Sequence, residues 1–191
     1  MDRLFQKIQS IVPISLEELE QFGPDIQFRS YKKGEYFLRQ GEHRWEIGYI
    51  TKGLFRKYFL SNDDEVTDNF HMEEAFVADA ASFMPQAPAL LNIVAMEDSE
   101  AFVFSRASVL QWAQSSHQIE HLLRLQAEMG YTFAFRRKIS LLNDSPEQRY
   151  LQMLATRPKL PQRVPQYHLA SYLGITPEAL SRIRKRLANK K

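Results

Sequence analysis

The sequence predicts an α+β chain built in three successive parts: an antiparallel β-roll, one long helix, and a C-terminal helix-turn-helix. Three observations predict it. Short segments between residues 26 and 106 alternate apolar and polar residues and are separated by turn signals. An approximate apolar stripe then recurs at helical spacing over residues 118–142. Two short helical segments finally flank Gly174, the second of them basic on one face. The expected domains are 1–112, 113–143 and 144–191.

The chain opens with an amphipathic helix to about Ile11, with no apolar core of the kind a secretion signal needs. Ser15 caps a second short helix, with Glu18 completing a capping box, and Gly23-Pro24 ends it. IQFRSY, EYFLRQ, IGYITKG, FRKYFLS and VTDNFHM read as strands, punctuated at Lys33-Gly34, Gly41-Glu42, Lys52-Gly53 and Ser61-Asn62-Asp63-Asp64. Residues 76–91 are less regular and accommodate a short helix. Residues 93–106 return to strand, and 108–115 read as a short helix.

Residues 118–142 form about seven helical turns. Ile119, Leu122, Leu125, Met129, Phe133, Ile139 and Leu142 make the stripe, with Tyr131 and Phe135 beside it. A small β module is too little cover for so apolar a helix. A second copy of the same helix is the expected cover, giving a symmetric dimer; packing within one monomer is the alternative. Ser145, Pro146 and Gln148 then start another helix, and residues 157–161 read as a linker.

In 164–188, VPQYHLASYLGITPEALSRIRKRLA, each key residue has a physical reason. Ala170 is small where two helices cross closely. Gly174 can adopt the left-handed conformation that ends the first helix. Thr176 caps the second helix, Pro177 fits its first turn, and Glu178 complements its positive end. Leu180 and Ile183 face inward with Leu169, Leu173, Ile175 and Leu187. Glu178, Ser181, Arg182, Lys185 and Arg186 are left on the outer face, which suits the major groove of DNA.

Charge distribution agrees. Residues 157–191 carry nine basic side chains against one acidic, a net +8, whereas the preceding 156 residues carry 16 against 22, a net −6. A basic end on an acidic body fits nucleic-acid contact. Hydrophobic residues make up 44%, enough for a core, and no run of eighteen apolar residues suggests a membrane span. The absence of cysteine excludes disulfides and thiol-ligated clusters, and suits a cytoplasmic setting. His117 and His121 share a helical face without an evident third ligand, so no metal is expected. The acidic cluster Asp63, Asp64, Glu65 and Asp68 reads as a solvated turn, and Trp45 and Trp112 read as core. No glycine-rich phosphate loop, serine elbow or catalytic carboxylate pair stands out, so an enzyme is not expected.

Together these features resemble the Crp–Fnr transcriptional regulators over nearly the whole chain. YKKGEYFLRQGE and IGYITKGLFRKYF are similar to the opening strands of that family's cyclic-nucleotide-binding-like β-roll. LASYLGITPEALSRIRKRL is close to its helix-turn-helix signature. The resemblance implies a homodimer, double-stranded DNA and RNA polymerase as partners, and no membrane. It implies base contacts by Glu178 and Arg182, with Ser181 between them, and phosphate contacts by Tyr167 and Thr176. Lys185, Arg186 and the terminal Lys190 and Lys191 are expected to add salt-dependent backbone binding.

Three departures are informative. Pro177 stands where the family often has a polar or basic base-contacting residue. The β-hairpin wing is expected to be missing or reduced to whatever precedes the helix-turn-helix. Ala78-Asp79 takes the place of the family's Gly-Glu pair, and Ala89-Leu90 falls about where its phosphate-binding arginine should be. Burying a phosphodiester without a cation costs on the order of several kcal/mol, so cyclic AMP is not expected to bind, and no cofactor is evident. Phe76, Asp79, Phe83, Met84, Leu90 and Leu91 are the candidate lining of an effector pocket. That pocket also underlies an alternative: a small-ligand-binding roll whose basic tail contacts another protein.

Overall fold

The architecture was established from a computed structural model, which describes residues 1–189. The alternating segments pair as two antiparallel four-stranded sheets. One runs in the order β1 (Gln27–Tyr31), β8 (Ser99–Ser105), β3 (Glu46–Lys52), β6 (Phe76–Val77). The other runs β2 (Tyr36–Leu38), β7 (Asn92–Ala95), β4 (Phe55–Ser61), β5 (Asp64–His71). The inward residues of both sheets form one aromatic and aliphatic core. Tyr31 and Phe55 meet edge-to-face at 5.3 Å, and Phe37 lies 6.0 Å from Tyr31 and 6.3 Å from Phe55. Gly48 makes room for this: a Cβ there would lie 2.9 Å from the Phe37 ring and 3.1 Å from Val77.

A second core covers the outer face of the roll. Leu4, Phe5 and Ile8 of α1 (Asp2–Gln9) join Leu19 of α2 (Leu16–Glu20), Trp112 of α4 (Arg106–Ser115), and Ile119 and Leu122 of α5 (His117–Asn143). Ser15 accepts the Glu18 N–H at 3.0 Å, as the capping signal predicts. The Glu18 carboxylate is taken instead by the hydroxyl of Ser116, the residue that caps α5. The short helix expected in 76–91 is α3 (Ala80–Phe83).

The stripe on α5 therefore divides, which corrects the sequence reading. Its first half is covered within the monomer: Ile119 and Leu122 are buried, and Leu123 and Leu125 pack against them. Its second half is not. Met129, Tyr131, Phe135, Ile139 and Leu142 are exposed, Leu142 by 75% and Tyr131 by 72%.

Four helices follow: α6 (Pro146–Thr156), α7 (Leu160–Arg163), α8 (Gln166–Leu173) and α9 (Pro177–Ala188). The Ser145–Gln148 capping box closes in both directions, at 3.3 and 2.8 Å. The expected linker at 157–161 is another correction. Leu160 is fully buried and begins α7, and Arg157 is fixed by donating to Asn69 and to the Phe70 carbonyl. No strand accompanies these helices among the described residues.

The helix-turn-helix does not sit apart from the roll. Leu54 and Phe70 share a core with Tyr150, Met153, Leu160, Leu169, Leu173, Leu180 and Ile183. Strand β5 is an edge, and α8 covers it: the Thr67 N–H donates to Ser171 Oγ at 2.9 Å, and that hydroxyl donates to the Glu65 carbonyl at 3.1 Å. Arg163 bridges Glu73 and Glu97 at 2.7 and 2.6 Å. These contacts fix where the second helix of the motif points.

Candidate nucleic-acid interface

Gly174 ends α8 in the left-handed conformation, at φ 67°, as its place in the motif requires. Thr176 then caps α9, its hydroxyl oxygen accepting the Ala179 N–H at 3.3 Å. With that lone pair used, the Thr176 O–H is left to donate to the Glu178 carboxylate. Ala170 is fully buried at the crossing of the two helices, and Leu180 and Ile183 anchor α9 from behind.

Glu178, Ser181, Arg182, Lys185 and Arg186 all reach solvent on α9, and a shallow basic groove is lined by Arg182, Lys185, Arg186 and Asn189. Its own backbone N–H, then the Thr176 hydroxyl, hold the Glu178 carboxyl below its ordinary range. An ionised Glu178 suits acceptance from a cytosine amino group, and Arg182 one turn later suits guanine. Tyr167 is 57% exposed at the start of α8. Lys190 and Lys191 lie outside the described residues.

Two details were not legible in the residue pattern. Arg186 pairs with Glu147 at the start of α6, so its charge is already partly answered. Arg184 also faces solvent and reaches Gln166 at 3.4 Å; Gln166 in turn donates to the Pro177 carbonyl at 3.0 Å, tying the two helix starts together. His117 and His121 lie on the surface of α5 with rings 6.4 Å apart, and no group of three metal-ligating side chains occurs among the described residues. The acidic turn is more engaged than expected: Glu65 pairs with Arg56, and Asp68 with Lys57 at 3.1 Å.

The candidate effector residues are not gathered into one pocket. Phe83 is buried in the outer core, and Phe76 packs against the same core through Tyr49 at 5.2 Å. Met84 and Leu90 point outward, 60% and 57% exposed, and Leu91 is half-buried. Asp79 is buried, and its Oδ2 accepts the Leu90 N–H at 2.7 Å. The segment is tied down further by Trp45 Nε1 to the Ala87 carbonyl at 2.9 Å and Arg106 Nε to the Phe83 carbonyl at 2.9 Å. The roll interior is filled by Tyr31, Phe37 and Phe55.

Residues 28–116 match the family model of the cyclic nucleotide-binding domain. No curated protein sequence matches the chain. Among solved structures, FixK2 from Bradyrhizobium japonicum superposes with a TM-score of 0.76 at 20% identity, over 86% of this chain and 85% of that one. The c-di-GMP-responsive global regulator CLP from Xanthomonas campestris gives 0.74 at 19%, over 92% and 93%. A regulator assigned to the crp/fnr family from Eubacterium rectale gives 0.71 at 13%, over 93% and 85%. The chain has the Crp/Fnr fold. Within the Crp/Fnr frame, the sequence match covers the roll and α4, while the likeness in structure takes in 86–93% of the chain. No helix among the described residues is long and apolar enough to cross a membrane.

Proposed function

We propose that this Crp/Fnr-fold chain is a sequence-specific DNA-binding regulator that works as a homodimer, with α9 as its reading helix. The observation that carries the reading is α9 itself. Its apolar side is buried against α8 through a left-handed glycine and a hydroxyl cap, and the side turned outward holds Glu178, Ser181, Arg182 and Lys185. The uncovered half of α5 supplies the partner surface, and two-fold pairing there presents two α9 helices to successive major grooves about 34 Å apart.

The reading is tested at Arg182. Arg182→Ala should cost ~1–3 kcal/mol of binding to the preferred duplex and relax discrimination at one base pair in each half-site. Gel shifts against a panel of single-base-pair variants measure this. Equal weakening on every sequence would make Arg182 a phosphate contact rather than a base reader.

Cyclic AMP is not the effector of this reading. Asp79 places a carboxylate inside the segment that would have to take the phosphate, and its partner there is a backbone N–H rather than a cation. A thermal-shift titration with cyclic AMP should leave the midpoint unmoved. Strong saturable stabilisation would refute this part of the account.

A further inference from the structure

The joint between roll and reading unit contains a buried polar group that neither DNA contact nor packing explains. Arg56 on β4 is only 3% exposed. Its Nη1 lies 2.6 Å from Nδ1 of His168 on α8 and 3.3 Å from Thr67 Oγ1, its Nη2 pairs with Glu65 on β5, and its Nε has no partner. A guanidinium can donate to Nδ1 only while that nitrogen keeps its lone pair. His168 must therefore be neutral, with its proton on Nε2.

We infer that this joint is an acid-sensitive latch, in which a proton on His168 Nδ1 releases α8 from the β4–β5 hairpin.

The geometry leaves protonation little compensation. It would replace a hydrogen bond by two cations in contact between buried side chains. Glu65 is the carboxylate that acts on His168 among the described residues, and it is already engaged by Arg56. The Tyr58 ring lies 4.0 Å from the Arg56 guanidinium, and the Tyr167 ring lies 4.1 Å from the imidazole. From α5, Arg137 donates to the Thr67 and Tyr172 carbonyls, adding positive charge to the same joint, and Arg157 stands over Tyr172. Lys57 and Asp68 pair with each other, and Arg184 of α9 reaches only Gln166. Burial, then Arg56, pushes the His168 pKa down to about 4, against the weaker pull of Glu65. A base whose pKa is depressed on docking favours the docked state above its ordinary value near 6.5, and that preference is lost as pH falls towards 4. The Arg163–Glu73 pair acts elsewhere on the scale: Arg163 holds the Glu73 carboxyl down to about 2, so its contribution fades only below the ordinary glutamate range. His71, at the end of β5, is lowered to about 3, by burial first and then by Lys57 and Arg157. It is the competing titrating group and needs its own control.

The Thr67 amide reports the latch directly, because its N–H is donated across the joint to Ser171 rather than to a neighbouring strand. Its hydrogen exchange, followed by NMR in the full chain and corrected for the intrinsic rate, should show protection falling about tenfold between pH 7.5 and 5.5. His168→Asn, which offers Arg56 a neutral acceptor near the Nδ1 position, should keep Thr67 protected and flatten the profile; His168→Gln is the second version should the first fail to fold. His71→Asn should retain the wild-type profile. Constant protection in the wild type, or the same profile in the folded His168 variant, would overturn the latch.

Discussion

Replacing Tyr131 and Phe135 together by aspartate should leave the protein monomeric and weaken its binding to a symmetric duplex by about 10²–10⁴-fold. The two rings stack on successive turns of α5, 6.1 Å apart and 14° from parallel, with both side chains in solvent. Leu142, seven residues beyond Phe135, continues the same face. Towards the other end of the helix that face changes character: Arg124 and Glu128 form an exposed ion pair at 2.6 Å. The apolar surface is thus confined to the half of α5 nearest the reading unit, where pairing would fix the separation of two α9 helices. The substitutions touch no core residue, so each monomer should still fold and unfold cooperatively, losing only the stability that dimerisation adds. Two linked readers bind with an effective concentration that one reader lacks, which sets the size of the loss. Sedimentation velocity and gel shifts on the same samples check both halves of the expectation, and a dimer that survives the double substitution would place the interface elsewhere.

Phe70→Ala should cost ~3–5 kcal/mol and lower the stability of the roll and the helix-turn-helix together. Phe70 is 2% exposed, lies 5.6 Å from the Tyr172 ring, and belongs to the core that joins Leu54 of the roll to Leu169 and Leu173 of α8. A residue serving one unit alone would split the unfolding transition when truncated. One serving a shared core should shift a single cooperative transition. Calorimetry distinguishes the two: one peak moved downward supports the shared core, and two separated peaks count against it.

Much of this fold can be read from the residues because its local signals agree with one another. The Ser145–Gln148 box, Gly174 and the Thr176 cap fall where side-chain chemistry places them, and the strand pattern corresponds to the two sheets. Long-range partners could not be read. The α5 stripe shows which residues are apolar, but not that α1 and α4 cover Ile119 and Leu122 while Tyr131 and Phe135 stay bare. Nor does the run at 157–161 show that Leu160 is a core residue, because its companions lie as far away as Leu54 and Phe70. The side on which each candidate pocket residue falls was hidden for a related reason: Phe83 and Leu90 are both apolar, yet they face opposite environments. His168 carried one available signal, its place next to the core residues Leu169 and Ala170 in α8, but its partner Arg56 is 112 residues away.

The central claim is that two copies read a two-fold symmetric duplex through α9. Selection of binding sites from random double-stranded DNA, with the mass of the recovered complex measured, tests it most directly. The account predicts an enriched inverted repeat with half-site centres about 34 Å apart, bound by two chains. A population with no enrichment at low salt, or an asymmetric site bound by one chain, would contradict it.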